Sequence, residues 1–378
     1  MSEYQYYEFR AIDRPLGQKE MNELRAISTR ATITSTSFTN TYQWGDLKAD
    51  PKRLLRKYFD AFLYVANWGS HWLAFRVPGN ALDLSAVEAF EAGESLSVRQ
   101  QAPYVVLDFC SEQEPGDWEE GEEQLASLIS LREDILRGDF RALYLGWLLG
   151  VQNGEIDEEA GEPSVPPGLT ELSAPLKSLA EFLRLDADLL AAAAGASDPL
   201  PRHTPELEPQ WRSWISSLST ADKEHLLYRA VQGDSGVRWQ MQKRFRRYLD
   251  GLQPPLGAEA QPRRTVRDIL AARDELEKRR RRQLAEERDR QARERAAARR
   301  QHLKALAQRE PDVRTEIGAL IRTRQSKGYD RAILLLKDLR DAAALQNGSE
   351  AFVAYAASIR REHARKPSLL QRLDRADL

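Results

Sequence analysis

The chain has 378 residues, too many for one ordinary core, with 42% hydrophobic and 30% charged residues and a formal net charge of −2. That balance excludes a molecule drawn to nucleic acid by its overall charge. The single cysteine, Cys110, excludes an intramolecular disulfide and any cysteine-built zinc site.

In chain order, "YQYYEFRAI" is rich in aromatic strand formers. "DRPLGQKEMNELRAIS" turns helical behind Asp13, with Met21, Leu24 and Ile27 at three-residue spacing. "RATITSTSFTNTYQW" alternates as one strand, and "DPKRLLRKYFDAFLYVANWG" reads as a helix capped by Asp50 with Pro51 in its first position. "HWLAFRVP" and "APYVVLDFCSE" are strands on either side of a helix around "DLSAVEAFEAG". A long helix, "EEQLASLISLREDILRGDFRALYLGWLLG", closes the domain and breaks near Gly138. The order β-α-β-α-β-α-β-α predicts an α+β or α/β sandwich over residues 1–153, with helices on one or both sheet faces.

Residues 154–175 are acidic and carry Pro163, Pro166, Pro167 and Pro175, which excludes continuous helix and reads as a linker. From there a mostly helical half is expected: a helical region at 176–252, a second linker at 253–263 and a long charged helix at 264–309. A helical tail at 312–378 ends the chain, in which Leu335, Leu336 and Leu339 face Phe352, Tyr355 and Ile359 across the Asn347–Gly348 turn. The fold class is thus an α+β N-terminal domain, then a mostly α-helical half with one long charged helix and a terminal helical hairpin.

Catalytic signatures are missing. No GxGxxG follows a strand, and no GxxxxGK[ST], HExxH or GxSxG occurs. The five histidines are scattered, so no residue is assigned to catalysis, to a cofactor or to a metal. An enzyme site assembled from distant residues would draw on His71, Asp108 and Glu8, although a histidine opening a strand is ordinarily a structural residue. Cys110, among apolar neighbours, reads as a buried inert thiol. The acidic stretches "EQEPGDWEEGEE" and "EIDEEAGE" match no calcium loop and read as solvated loops. Trp118, ringed by carboxylates, is the exception and a candidate anchor for a basic partner.

Two basic surfaces stand out. "VRWQMQKRFRRYLDG" interleaves Arg238, Lys243, Arg244, Arg246 and Arg247 with Trp239, Phe245 and Tyr248, which suits nucleic acid or an acidic groove, or else a buried aromatic stripe rimmed by cations. From Arg273 to Arg300 there are twelve basic and seven acidic residues. Acid-first pairs at four-residue spacing, such as Asp274–Lys278, Glu275–Arg279 and Glu286–Arg290, support an exposed helix. Outside those pairs, Arg273, Arg280, Arg288, Arg295 and Arg299 fall on one side as a stripe about 40 Å long. Ala285, Ala292, Ala296 and Leu303 would give only a narrow coiled-coil seam.

The opening "YQYYEFRAIDRPLGQKEMNELRAIST" with "TSFTNTYQWGD" resembles the start of a set of bacterial proteins of unknown function, a likeness that implies no activity. The end, "YDRAILLLKDLRDAAALQNGSEAFVAYAASIRREHARKPSLLQRLDRADL", is similar to the helical tail of bacterial SWIM-type zinc-finger proteins. The SWIM finger needs Cys-x-Cys and a later Cys-x-His, so with Cys110 alone neither zinc nor finger-based DNA binding carries over. What the likeness implies is a docking module shared with proteins that sometimes work near nucleic acid. No apolar run approaches a membrane span of roughly 20 residues, and "MSEYQYYEFR" lacks the apolar core of a secretion signal, so a cytoplasmic protein without membrane contact is expected. The expected function is a non-enzymatic adaptor or scaffold that docks other protein subunits. An accessory nucleic-acid-binding subunit is the alternative.

Overall fold

The computed structural model describes residues 3–113, 121–200, 208–234, 236–252, 263–346 and 348–378. Its sheet begins with β1 (Gln5–Arg10), followed by α1 (Gln18–Ile27), β2 (Thr32–Ile33) and β3 (Ser37–Tyr42). Helix α1 does not start at Asp13. Gly17 precedes it, with Glu20 reaching back to the Gly17 N–H at 2.8 Å, while Asp13 pairs with Arg132 at 2.7 Å.

Helix α2 (Pro51–Tyr58) has the expected cap, Asp50 accepting from the Lys52 N–H at 3.0 Å. It then stops, and Ala61–Ala66 forms β4 rather than further helix. "AFLYVA" is apolar throughout because both of its faces are covered, and periodicity alone cannot separate such a strand from a buried helix. Phe59 and Phe62 decide the outcome by packing on Phe9, with ring centroids 5.2 and 4.4 Å away.

The sheet continues with β5 (Ser70–Pro78), α3 (Leu84–Glu88), β6 (Leu96–Gln101) and β7 (Tyr104–Glu112). β6 is a strand that the sequence reading had not anticipated, with Leu96 and Val98 facing the core and Ser97 and Arg99 the other way. All seven strands are antiparallel, in the order β2-β3-β1-β4-β5-β7-β6.

The closing helix divides into α4 (Gln124–Leu128), α5 (Ser130–Leu136) and α6 (Arg141–Gln152). The expected break falls at Gly138, whose φ of +87° is left-handed, and a second interruption falls at Ile129. After them come α7 (Ala174–Phe182), α8 (Ala187–Ala194), α9 (Glu208–Ser217), α10 (Thr220–Val231) and α11 (Gly236–Leu252). Helices α4 to α8 cover one sheet face, over Leu63, Leu73, Phe75, Leu107 and Phe109. Helices α1 and α2 cover the other face over Phe9, Phe38 and Phe62.

Residues 154–175 are no loose linker. Pro163 and Leu169 are buried, and the stretch pairs with the start of the long helix, the Glu162 N–H donating to the Arg264 carbonyl at 2.8 Å. The second expected linker falls mostly outside the described residues. Helix α12 (Val266–Gln308) is the long charged helix. Its base contributes Val266 and Ile269 to the first core, and the first compact unit accordingly spans Met1–Lys278.

The second unit, Arg279–Leu378, holds the rest of α12 with α13 (Glu310–Arg322), α14 (Ser326–Leu345), α15 (Ser349–Glu362) and α16 (Pro367–Arg375). Its core joins Leu303 and Leu306 to Ile317, Leu336, Phe352 and Leu369. The α14–α15 hairpin forms as expected, with Leu335, Leu336 and Leu339 in one cluster with Phe352 and Ile359. Among the described residues no helix is long and apolar enough to cross a membrane.

Candidate functional site

The cations of α11 are engaged by the first unit itself. The Lys243 ammonium donates to the Leu82 carbonyl, and Arg246 donates to the Leu136 carbonyl at 3.0 Å. Arg247 pairs with Asp83 at 3.0 Å, Arg238 with Glu133 at 3.2 Å and Arg244 with Asp222 at 3.2 Å. Burial, followed by the nearby Arg247, lowers the pKa of Lys243. Trp239 and Phe245 are the buried stripe, Phe245 stacking on Trp211 at 3.7 Å between centroids. The surface that resembled a phosphate contact thus holds α11 against its own domain. Its exposed pairs contribute only about 0–1 kcal/mol each, so packing of the aromatic stripe does most of the holding.

On α12 the expected stripe is uneven. Arg273 pairs with Asp274 at 2.6 Å, and Arg299 bridges Asp338 and Asp341 at 2.6 and 2.9 Å. Arg280, Arg288 and Arg295 are exposed, and among the described residues Arg288 and Arg295 form no ion pair. Several acids choose partners other than those expected. Asp274 takes Arg273, Glu275 takes Lys278 and Glu286 takes Arg282. Neighbouring pairings on an exposed helix differ by only tenths of a kcal/mol, so spacing does not select among them.

His71, Asp108 and Glu8 do not assemble. His71 is buried with Nδ1 donating to the Phe182 carbonyl at 2.6 Å and its ring stacked on Phe182. The Arg184 guanidinium lies 3.3 Å from Nε2, so the histidine fastens the end of α7 to β5. Glu8 is buried beside Tyr6, whose hydroxyl donates to it at 3.0 Å, and pairs with Arg10 at 2.6 Å. Asp108 points from the opposite sheet face, in register with Ala74 and Ser97. Trp118 lies outside the described residues.

Asp108 instead lies in a cleft of the first unit. Helices α1 and α2 cover only part of their sheet face, and over β5, β7 and β6 that face opens into a cleft of about 570 Å³. Trp72, Asp108, Arg99, Lys52, Glu94 and Glu112 line it. The Asp108 carboxylate is buried and accepts the Trp72 indole N–H at 2.9 Å. Ser97 and Arg99 lie farther from its second oxygen, at 3.5 and 3.7 Å. Lys52 places its ammonium 5.4 Å from the centre of the Trp72 ring. Cys110 shares this wall and is half-buried rather than buried as expected; burial, with Asp108 next, pushes its thiol up to about 12, so it stays protonated at neutral pH. Among the described residues no three His, Cys, Asp or Glu side chains are grouped to hold a metal.

Sequence reasoning missed Trp72, Arg99 and Lys52 as neighbours of Asp108. The usable signal was parity. Trp72 in "HWLAFRVP" and Asp108 with Cys110 in "YVVLDFC" share one face of adjacent strands, and Ser97 and Arg99 join them only once "LSVRQQ" is recognised as a strand. Comparison of the chain with protein-family models, with curated proteins and with solved structures found no match.

Proposed function

We propose that this protein is a non-enzymatic adaptor that docks other protein subunits on its two compact units. One observation carries the reading. Along α12 every residue from Lys278 to His302 is exposed, save the half-buried Glu287. A helix polar on all sides finds its stability in charge pairs and its use in bridging domains. Each unit also exposes apolar side chains in the manner of an interaction surface, Leu227, Tyr228 and Val231 on α10 and Val353 on α15. The test is affinity capture with the full-length chain carrying Leu227→Asp or Val353→Asp, with and without nuclease. An adaptor loses a different protein with each substitution, and nuclease changes neither result. Identical, complete capture by both variants would reject the reading.

Arg288 and Arg295 favour a second reading, an accessory nucleic-acid-binding subunit, because both are exposed and neither forms an ion pair among the described residues. Capture abolished by nuclease would support it.

A further inference from the structure

We propose that helix α15 pairs antiparallel with α15 of a second copy of this chain. The proposal rests on the adaptor reading and names the partner at one of its two surfaces. Phe352, Ala356 and Ile359 turn one side of α15 into the core of the second unit. On the other side Glu350, Val353, Ala354, Ala357 and Arg361 are exposed, and at about 100° per residue they share an arc of about 100°. Val353 is 64% exposed. A groove of about 430 Å³, lined by Phe352, Val353, Ala356 and Ala357, continues this apolar surface towards Arg340 and Ala344 on α14. Exposed apolar surface of this kind, rimmed by charged residues, marks a protein interaction site.

Charge decides what covers it. Glu350 begins the strip and Arg361 ends it, about 16 Å apart along the axis and so too far to pair with each other. While Arg360 pairs with Asp374 at 2.7 Å, neither Glu350 nor Arg361 forms an ion pair among the described residues. Turning a second α15 end for end places its Arg361 beside Glu350 and its Glu350 beside Arg361. The same two-fold operation sets Ala354 against Ala357 of the second copy, because both pairs have their midpoint between Tyr355 and Ala356. Alanine at the crossing lets the two axes approach to about 8 Å, the near end of the usual range. A parallel arrangement would put Glu350 beside Glu350 and Arg361 beside Arg361, where like charges oppose each other. A partner of other sequence would have to match an order of charges that this chain already supplies to itself.

Sedimentation equilibrium of the purified full-length chain between about 1 and 200 µM tests the proposal. The expected result is a reversible dimer with a micromolar Kd, in keeping with the small contact of one helix pair. Val353→Asp, at an exposed position, should raise Kd by about tenfold or more. Glu350→Arg and Arg361→Glu should each weaken the dimer several-fold, and the two together should restore it. Both reversals oppose the helix dipole, so a purely local effect would add up in the double variant instead of cancelling. A monomer throughout this range, a dimer indifferent to Val353→Asp, or a double variant as weak as the single ones would overturn the proposal. The first of these outcomes leaves the adaptor reading standing, because capture of other proteins is measured independently of chain mass.

Discussion

Glu162 and Arg264 lie 102 residues apart in the chain and form a two-point ion pair, both N–H···O distances being 2.8 Å. The carboxylate is buried and also accepts from the Tyr144 hydroxyl, and the backbones of the two segments pair beside it. Arg264→Ala would strand that charge in the core. The expected loss is about 2–3 kcal/mol, since one partner of a buried pair is removed while Arg264 itself is partly exposed. Urea unfolding monitored by far-UV circular dichroism measures it, and a loss below about 0.5 kcal/mol would show that the pair does not fasten the two segments.

A second prediction concerns acid. Glu20 accepts from Arg14 and from the Gly17 N–H, and these bonds lower its pKa from 4.5 to about 2. Because the folded value lies below the unfolded one, the stabilisation is complete above about pH 4.5 and fades as pH falls towards 2. The stability difference between wild type and Glu20→Gln should therefore be constant near neutrality and shrink between those values. A difference that grows on acidification would contradict this.

Gly138 carries the third. Its φ is +87°, and a Cβ built there would lie 1.7 Å from a guanidinium nitrogen of Arg246, which donates to the Leu136 carbonyl. Gly138→Ala combines backbone strain with displacement of that arginine, so a loss of about 1–3 kcal/mol is expected. Limited proteolysis should show faster cleavage near α11. Unchanged stability and unchanged cleavage would mean that Arg246 is easily rearranged.

The α12 stripe supplies the fourth. Two cations without ion pairs, Arg288 and Arg295, would neutralise about two phosphates and give a log–log salt slope near −2, too shallow for firm retention. Filter binding at physiological salt should detect no retained duplex, and Arg288→Gln with Arg295→Gln should change nothing. Retention in wild type that disappears in the double variant would favour the nucleic-acid reading.

The legible parts of this fold were those with local causes. Asp50 and Pro51 announced α2, Gly138 announced a helix break, and charge pairing announced α12. β4 was hidden because burial on both faces erases the alternation that identifies a strand. The packed course of residues 154–175 was hidden because its prolines and acids match a loose linker in composition, and only the distant Arg264 gives Glu162 its partner. The cleft was half-legible. Asp108 was named only with His71 and Glu8, which lie on the other sheet face, and its true neighbours come from strand register, which no single segment encodes.

The return of the chain at Arg264–Val266 has a consequence for biosynthesis. β1 finds both of its neighbours once Ala66 has been made, so the sheet can begin to form early. The face of α6 around Tyr144 waits far longer, until residues about one hundred positions later deliver Arg264, Val266 and Ile269. Domains fold as units while synthesis proceeds at roughly 5–20 residues per second, so this interval lasts about 5–20 s. During it the nascent domain carries an open apolar seam, and a ribosome stalled between α6 and α12 would present that seam to chaperones and proteases.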